Sequence, residues 1–440
     1  MSSIVKTPVA LAIAVILLAA CGDDELVLEG ERLDLRDGLA SDASIEDPVA
    51  RAQPLVLASP VLNSNWSHTN GSPSHKIAHP ALDRSLARVW SASIGQGNDR
   101  KHRVTADPVV ADGRVYTLDS RALVSAFSTS GETLWTRDLT PSSDDSDDAS
   151  GGGLAVANGT LFVTSGFGIL TALDAASGTT NWVQDLDSGA TGAPTAVNGV
   201  VYLVTRNATG WAIDSQNGRV LWQVVGASSQ SGILGGPGPV VAGPLVVFPF
   251  SSGQMLAAVA NVGSPAWLAS VAGKRPGRGF SRISDLSGNP VADGPRIYAG
   301  NHSGRVAAFD STTGQAVWTA NEGAVNAPWL AGGSLFFVTD ENQLTRLDAA
   351  TGELIWVRDL PFFRRERISR RKSTFAHHGP VLAGGRLILT SDDGVLREFD
   401  AETGALIAET ELPDGAARNP VVAGGSLFVV TQNGQLHAFR

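Results

Sequence analysis

Four groups of side chains here have the types and spacing to do chemistry. They are a single thiol, Cys21; eight histidines; carboxylates at Asp144, Asp145, Asp147 and Asp148; and cations at Arg364, Arg365, Arg367, Arg370, Arg371 and Lys372. The thiol follows Lys6, an apolar run from Val9 to Leu18, and the small residues Ala19 and Ala20. That order is a bacterial secretory leader over residues 1–20, with an apolar run well short of the ~20 residues that span a bilayer. An exported chain with one cysteine has no internal disulfide. His75 and His79 have helical spacing but run into Pro80, and His377 with His378 has no third ligand near in sequence. Zinc needs three or four ligands, so no metal site is expected. The acidic run lacks the spaced donors and closing Glu of a calcium loop and reads as a solvated connection. Neither a G-x-S-x-G elbow nor a G-x-x-x-x-G-K-[ST] loop occurs, so nucleophilic hydrolysis and nucleotide binding have no motif behind them. No catalytic residue and no cofactor is expected. The cation run, preceded by Phe362 and Phe363, suits either anionic lipid, an acidic partner or simple charge balance.

The elements that must carry these groups repeat. Asp348, Gly352 and Trp356 stand four residues apart, and the frame returns at Asp174-Gly178-Trp182, Asp214-Gly218-Trp222 and Asp310-Gly314-Trp318. Looser copies put Gly131 before Trp135, Gly263 before Trp267 and Gly404 before Ala408. Such a frame is a tight turn between strands, with Asp capping backbone N–H groups, glycine taking positive φ and the tryptophan on the second strand. A second segment, proline-headed and strand-turn-strand in pattern, begins at Pro108, Pro194, Pro239, Pro290, Pro328, Pro380 and Pro420, with Leu154 in the proline's place once more. Four short strands recurring every ~40 to 50 residues mark a β-propeller. Trp90 precedes the first opening segment, and the last opening has no fourth strand after it. The expected fold is therefore all-β, an eight-bladed propeller of four-stranded blades over residues 62–440, closed by the strand near Trp90 pairing with the C-terminal blade.

Between leader and propeller, residues 21–61 read as an acidic flexible connector, with ten acidic and three basic residues from Cys21 to Pro60. Without residues 1–20 the net charge is −11, which argues against nucleic acid as partner. Connections between blades vary in length: ten residues from Trp318 to Pro328, 23 from Trp267 to Pro290 and 24 from Trp356 to Pro380. In up-and-down blades these connections share one face of the disc, where binding usually resides.

Leu18-Ala19-Ala20-Cys21 resembles the lipobox of bacterial lipoproteins, and Gly22 after the cysteine, by the sorting rule that resemblance brings, implies lipid anchoring at the periplasmic face of the outer membrane. The repeats resemble the tryptophan-docking repeat of pyrroloquinoline-quinone enzymes. Lipobox, acidic connector and eight blades together resemble the BamB family of outer-membrane assembly lipoproteins. That resemblance implies a non-enzymatic scaffold that holds the periplasmic domains of a BamA-like barrel-assembly protein, with other lipoproteins of the BAM complex joined indirectly. The family contacts this partner through two adjacent inter-blade loops. The resemblance puts them here at Ile233 and Leu234, where Leu234 replaces the family's arginine, and at Arg282 and Asp285 of Arg282-Ile283-Ser284-Asp285-Leu286-Ser287, where Ser287 replaces its final aspartate. The alternatives are a quinone-dependent dehydrogenase, for which the adjacent cysteine pair is missing, and an envelope propeller that binds a ligand.

Overall fold

A computed structural model describes residues 53–229, 234–271, 273, 285–365 and 367–440. Among them, 32 strands form eight antiparallel four-stranded sheets. Seven blades are local: residues 109–138, 152–185, 195–225, 240–270, 291–320, 329–359 and 377–411, here blades 1 to 7. Blade 8 takes its three inner strands from Val421–Ala423, Ser426–Val430 and Gln435–Phe439, and its outermost from Arg88–Ser93. The expected closure through Trp90 is what the chain does: Trp90 lies opposite Ala438, and Ala87 and Arg440 exchange backbone hydrogen bonds of 2.9 and 3.0 Å.

Burial follows strand position within a blade. Middle strands such as Leu335–Val338 are packed on both faces by the neighbouring blades, so they read as continuous apolar runs; outer strands such as Thr180–Asp185 alternate between half-buried and exposed. Next to each outer-strand tryptophan of blades 1 to 6 the ladder carries a bulge, for instance where Ala172 faces Trp182 and Leu173 faces Thr180. The extra residue turns the indole toward the next blade. There it lies on the glycine of that blade's turn, where any side chain would collide: a Cβ at Gly352 would stand 2.5 Å from Trp318. Trp90, Trp135, Trp182, Trp267 and Trp318 each donate Nε1–H to a carbonyl in that turn at 3.0 to 3.2 Å. The carbonyls of Ala175 and Ala349 accept a second bond, from the hydroxyls of Tyr116 and Tyr298. Each repeat unit therefore clasps the following blade.

Ala408 departs from the frame for a visible reason. A tryptophan on that outer strand of blade 7 would lie over the corresponding turn of blade 8, and there the turn is replaced by the junction of Arg440 with Ala87. No glycine platform exists for it.

Residues 61–84 form a structure that the repeat pattern does not announce. They cross the axis of the ring and bond to the innermost strand of each blade or to a residue directly flanking it. Trp66 pairs with Val110 of blade 1, Ser67 O accepts from Val156 N of blade 2, and His68 bonds the backbone of Ala196 of blade 3. Pro73 and Ser74 carbonyls accept from Val241 and Ala292 of blades 4 and 5, and Asn70 reaches Pro328 O of blade 6. Pro80 O and Asn63 O accept from Gly384 and Gly424 of blades 7 and 8. Trp66 stacks on Trp329 of blade 6 with ring centroids 5.9 Å apart. This segment plugs the end of the axis that carries the short turns. The plug is reached by residues 53–61, at the end of the expected 21–61 connector, which also lie on the propeller: Gln53 donates to Asp348 and accepts from Arg346, and Val61 bridges Pro80.

Candidate functional site

The long connections all leave from the face opposite the plug. Those of 226–239 and 271–290 enter blades 4 and 5 and are tied together where they end, by Gly238 N donating to Asn289 Oδ1 at 2.7 Å. Leu234 is half-buried, and its side chain leans toward Gly151 in the connection between blades 1 and 2. Gly235 takes φ +75° next to Thr105, so the end of this connection, from Leu234 on, lies at the mouth of the axis. Asp285 is 2% exposed. The residues after it are riveted: Leu286 bridges Asn301, Ser287 donates its hydroxyl to Ala324 O at 2.6 Å, and Asn301 Nδ2 donates to Val271 O at 2.9 Å. Asp285 thus belongs to the buried root of its loop and not to the presented surface. Ile233 and Arg282, like Cys21, the residue expected to carry lipid, lie outside the described residues.

At the same face the axis is closed by a polar collar that sequence reading missed. Asp107 accepts from Arg418 Nε at 2.9 Å and from Asn419 Nδ2 at 3.0 Å. Asn419 Oδ1 in turn accepts from Gly379 N, and Asn326 Nδ2 donates to His377 O. Asp107, Asn326, Arg418 and Asn419 each stand just before an inner strand, so their common place in the repeat was the signal that could have found them. Between the collar, Thr69 of the plug and Gly235 the axial cavity measures about 20 Å³, room for about one water molecule.

The histidines do architectural work. His75 and His79 sit on the plug, not on a helix. His75 Nδ1 meets Pro290 O at 2.7 Å, and burial pushes its pKa down to about 4; His68 beside it falls to about 3 through burial and the proximity of His75. His79 Nε2 accepts from Gly385 N at 2.8 Å, which leaves Nδ1–H to donate to Ala58 O. His377 meets Pro361 O at 2.8 Å, and His378 is pushed down to about 3 by burial and by Arg418. Among the described residues no three His, Cys, Asp or Glu side chains converge as metal ligands. The acidic loop is answered by local cations: Asp147 pairs with Arg121 at 2.6 Å, and its carbonyl meets His102 Nε2 at 3.0 Å.

A family profile described as outer membrane protein assembly factor BamB matches residues 120–358 and 364–440. An outer membrane protein assembly factor BamB of Moranella endobia is 25% identical over 359 residues, covering 80% of this chain and 89% of that one. The crystal structure of BamB from Moraxella catarrhalis superposes with a TM-score of 0.67 at 18% identity, covering 81% of this chain and 100% of that one. A quinohemoprotein alcohol dehydrogenase from Comamonas testosteroni shares the fold at a TM-score of 0.66 and 16% identity, covering 87% of this chain and 81% of that one.

Proposed function

This chain belongs to the BamB family of outer membrane protein assembly factors, and from that premise we propose that it is a non-enzymatic scaffold lipoprotein that holds the periplasmic domains of a BamA-like barrel-assembly protein. The observation that carries the proposal is the pair of consecutive long connections, 226–239 and 271–290, tied by the Gly238–Asn289 hydrogen bond on one face of a closed ring. A rigid ring presenting two coupled loops suits protein docking, where a few apolar anchors amid polar rim contacts carry most of the affinity. Leu234, with Ile233 and Arg282, supplies the contact surface. Asp285 holds the second loop's root. Cys21 supplies the lipid anchor at the periplasmic face of the outer membrane, and other lipoproteins of the complex are reached through the barrel protein.

The dehydrogenase alternative is poorly supported by the axis. A multi-ring quinone needs a pocket of several hundred Å³, whereas the pocket lined by Asp107 and Arg418 of the collar, Thr69 of the plug and Gly235 holds about 20 Å³.

Affinity purification of the lipidated protein from detergent-solubilised envelopes tests the reading. A near-equimolar barrel protein with periplasmic domains is the expected companion, and its loss on Leu234→Glu would assign the loops. Absence of any such barrel, with other envelope complexes intact, would remove the scaffold role.

A further inference from the structure

The connection between blades 6 and 7 is a built ribbon. Phe375 N donates to Phe362 O at 2.8 Å, Phe363 bridges Thr374, and Arg364 N donates to Ser373 O at 3.0 Å. The tip closes through a 3₁₀ turn at Ile368–Arg370. Its base is pinned to blades 6 and 7: Arg364 forms an ion pair with Asp392 of blade 7, whose other oxygen accepts from Ala376 N, and Asn342 Nδ2 of blade 6 donates to Phe375 O. Two cations lie on the ribbon's own aromatics, Arg364 5.1 Å from the Phe375 ring and Arg371 4.9 Å from that of Phe363. Beyond the pinned Arg364, the tip exposes Arg365, Arg367, Arg370, Arg371 and Lys372 around Ile368, which is 82% exposed.

Such a tip in a chain of net charge −10 needs an account. Charge balance does not require it, because cations elsewhere pair with carboxylates near them, as Arg397 does with Asp393 and Glu409. A convex end with cations on both strands addresses a plane rather than a pocket, and a lone branched aliphatic among them can enter the headgroup layer. Arginine suits phosphate through its flat fork of donors. We propose that the ribbon 362–375 is a contact site for anionic phospholipid headgroups, with Ile368 entering the interface and the arginines meeting the phosphates. The acidic remainder of the ring is repelled by the same surface, so contact through this ribbon sets the tilt of the disc. The ribbon lies on the long-loop face but on a different junction from the loops at blades 4 and 5, so lipid and protein contacts are separable by mutation.

The test uses residues 22–440, the exported chain without its acylated cysteine, in flotation with vesicles of phosphatidylethanolamine alone or with about one-third phosphatidylglycerol. Binding is expected only with the anionic lipid, weakening steeply as salt rises and the Debye length falls from about 10 to about 3 Å. Each cation near such a surface contributes on the order of fivefold in partition, so Arg367→Glu with Arg370→Glu should lower it at least ~25-fold. Ile368→Asp, which alters neither cation, should weaken it too, and all variants should keep the wild-type melting profile because the substituted side chains are exposed. Equal binding to neutral vesicles, retained binding by the double reversal, or no vesicle binding beside capture of an acidic polypeptide would each overturn the assignment.

Discussion

If the tryptophan clasp holds the ring, a single methyl group placed beneath one indole should cost far more than the same methyl in an identical backbone conformation elsewhere. Gly352 has φ +76° and Gly113 has φ +72°. An alanine at either pays the left-handed strain, about 1 to 2 kcal/mol. At Gly113 nothing lies within 4 Å of the new Cβ, whereas at Gly352 it would stand 2.5 Å from Cε3 and 2.6 Å from Cδ2 of Trp318. The indole must move, losing its 3.0 Å bond to Ala349 O, about 1 kcal/mol, and a good part of its packing, about 2 kcal/mol if half of a full Trp→Ala loss is forfeited. The expected cost is thus about 4 kcal/mol for Gly352→Ala and about 1 to 2 for Gly113→Ala. Urea unfolding followed by tryptophan fluorescence and far-ultraviolet circular dichroism measures both, coincident curves licensing a two-state treatment. In a Trp318→Ala background the two glycine substitutions should become equivalent. If Gly352→Ala and Gly113→Ala cost the same in the wild-type chain, the glycine is there only for the turn and the clasp argument fails.

The plug makes stability depend on acid. His75 protonates near 6.5 when unfolded and near 4 when folded, so between those pH values the unfolded chain binds more protons and stability falls as pH drops, by about 3 kcal/mol from this residue alone; His75→Gln should flatten that part of the pH profile, and an unchanged profile would refute it. Trp66→Ala, which removes the indole stacked on Trp329, should destabilise the ring by about 3 to 5 kcal/mol; a loss below 1 in chemical denaturation would show that the plug merely rests in the axis. Arg386 and Glu398 form a buried pair, so Arg386→Met should cost about 3 to 5 kcal/mol and Arg386→Met with Glu398→Leu much less, a difference that thermal melts resolve. Leu234→Glu should leave the melting temperature unchanged while weakening capture of the barrel protein at least about tenfold, the effect of 1.4 kcal/mol, in a pull-down titration.

The blades were legible because each repeats one physical device, a glycine platform and an indole in register, and that device leaves a period in the sequence. The missing tryptophan at Ala408 was legible only as a gap; its cause, the chain junction at Arg440 and Ala87, is a property of the closed ring. The plug was not legible at all, since residues 61–84 make scattered bonds to eight different blades and such a pattern has no period. For the same reason the spacing of His75 and His79, set aside as a metal pair because Pro80 follows, gave no clue to their setting: their geometry is set by Pro290 O and Gly385 N, more than 200 residues away in sequence. At the candidate loops a motif match located Asp285 but could not tell whether it pointed outward; its burial came from Leu286 and Ser287 being held by Asn301 and Ala324. The cation run was visible by composition, while the ribbon that stiffens it depends on backbone pairing between Phe362 and Phe375.

The ring closes on a strand that is synthesised early and used last. Arg88–Ser93 must wait for Gln435–Phe439 before it has any partner, and the loop between them costs about 5 kcal/mol in closure entropy by the (3/2)RT ln n rule. Until then blade 8 is three strands with a bare edge, and blade 1 lacks Trp90 against Gly131. Completion of the molecule is therefore a single late event at its seam, with a long-range contact of the kind that slows folding, and a ribosome that releases the chain short of Phe439 leaves an open disc with two adhesive edges rather than a slightly smaller propeller.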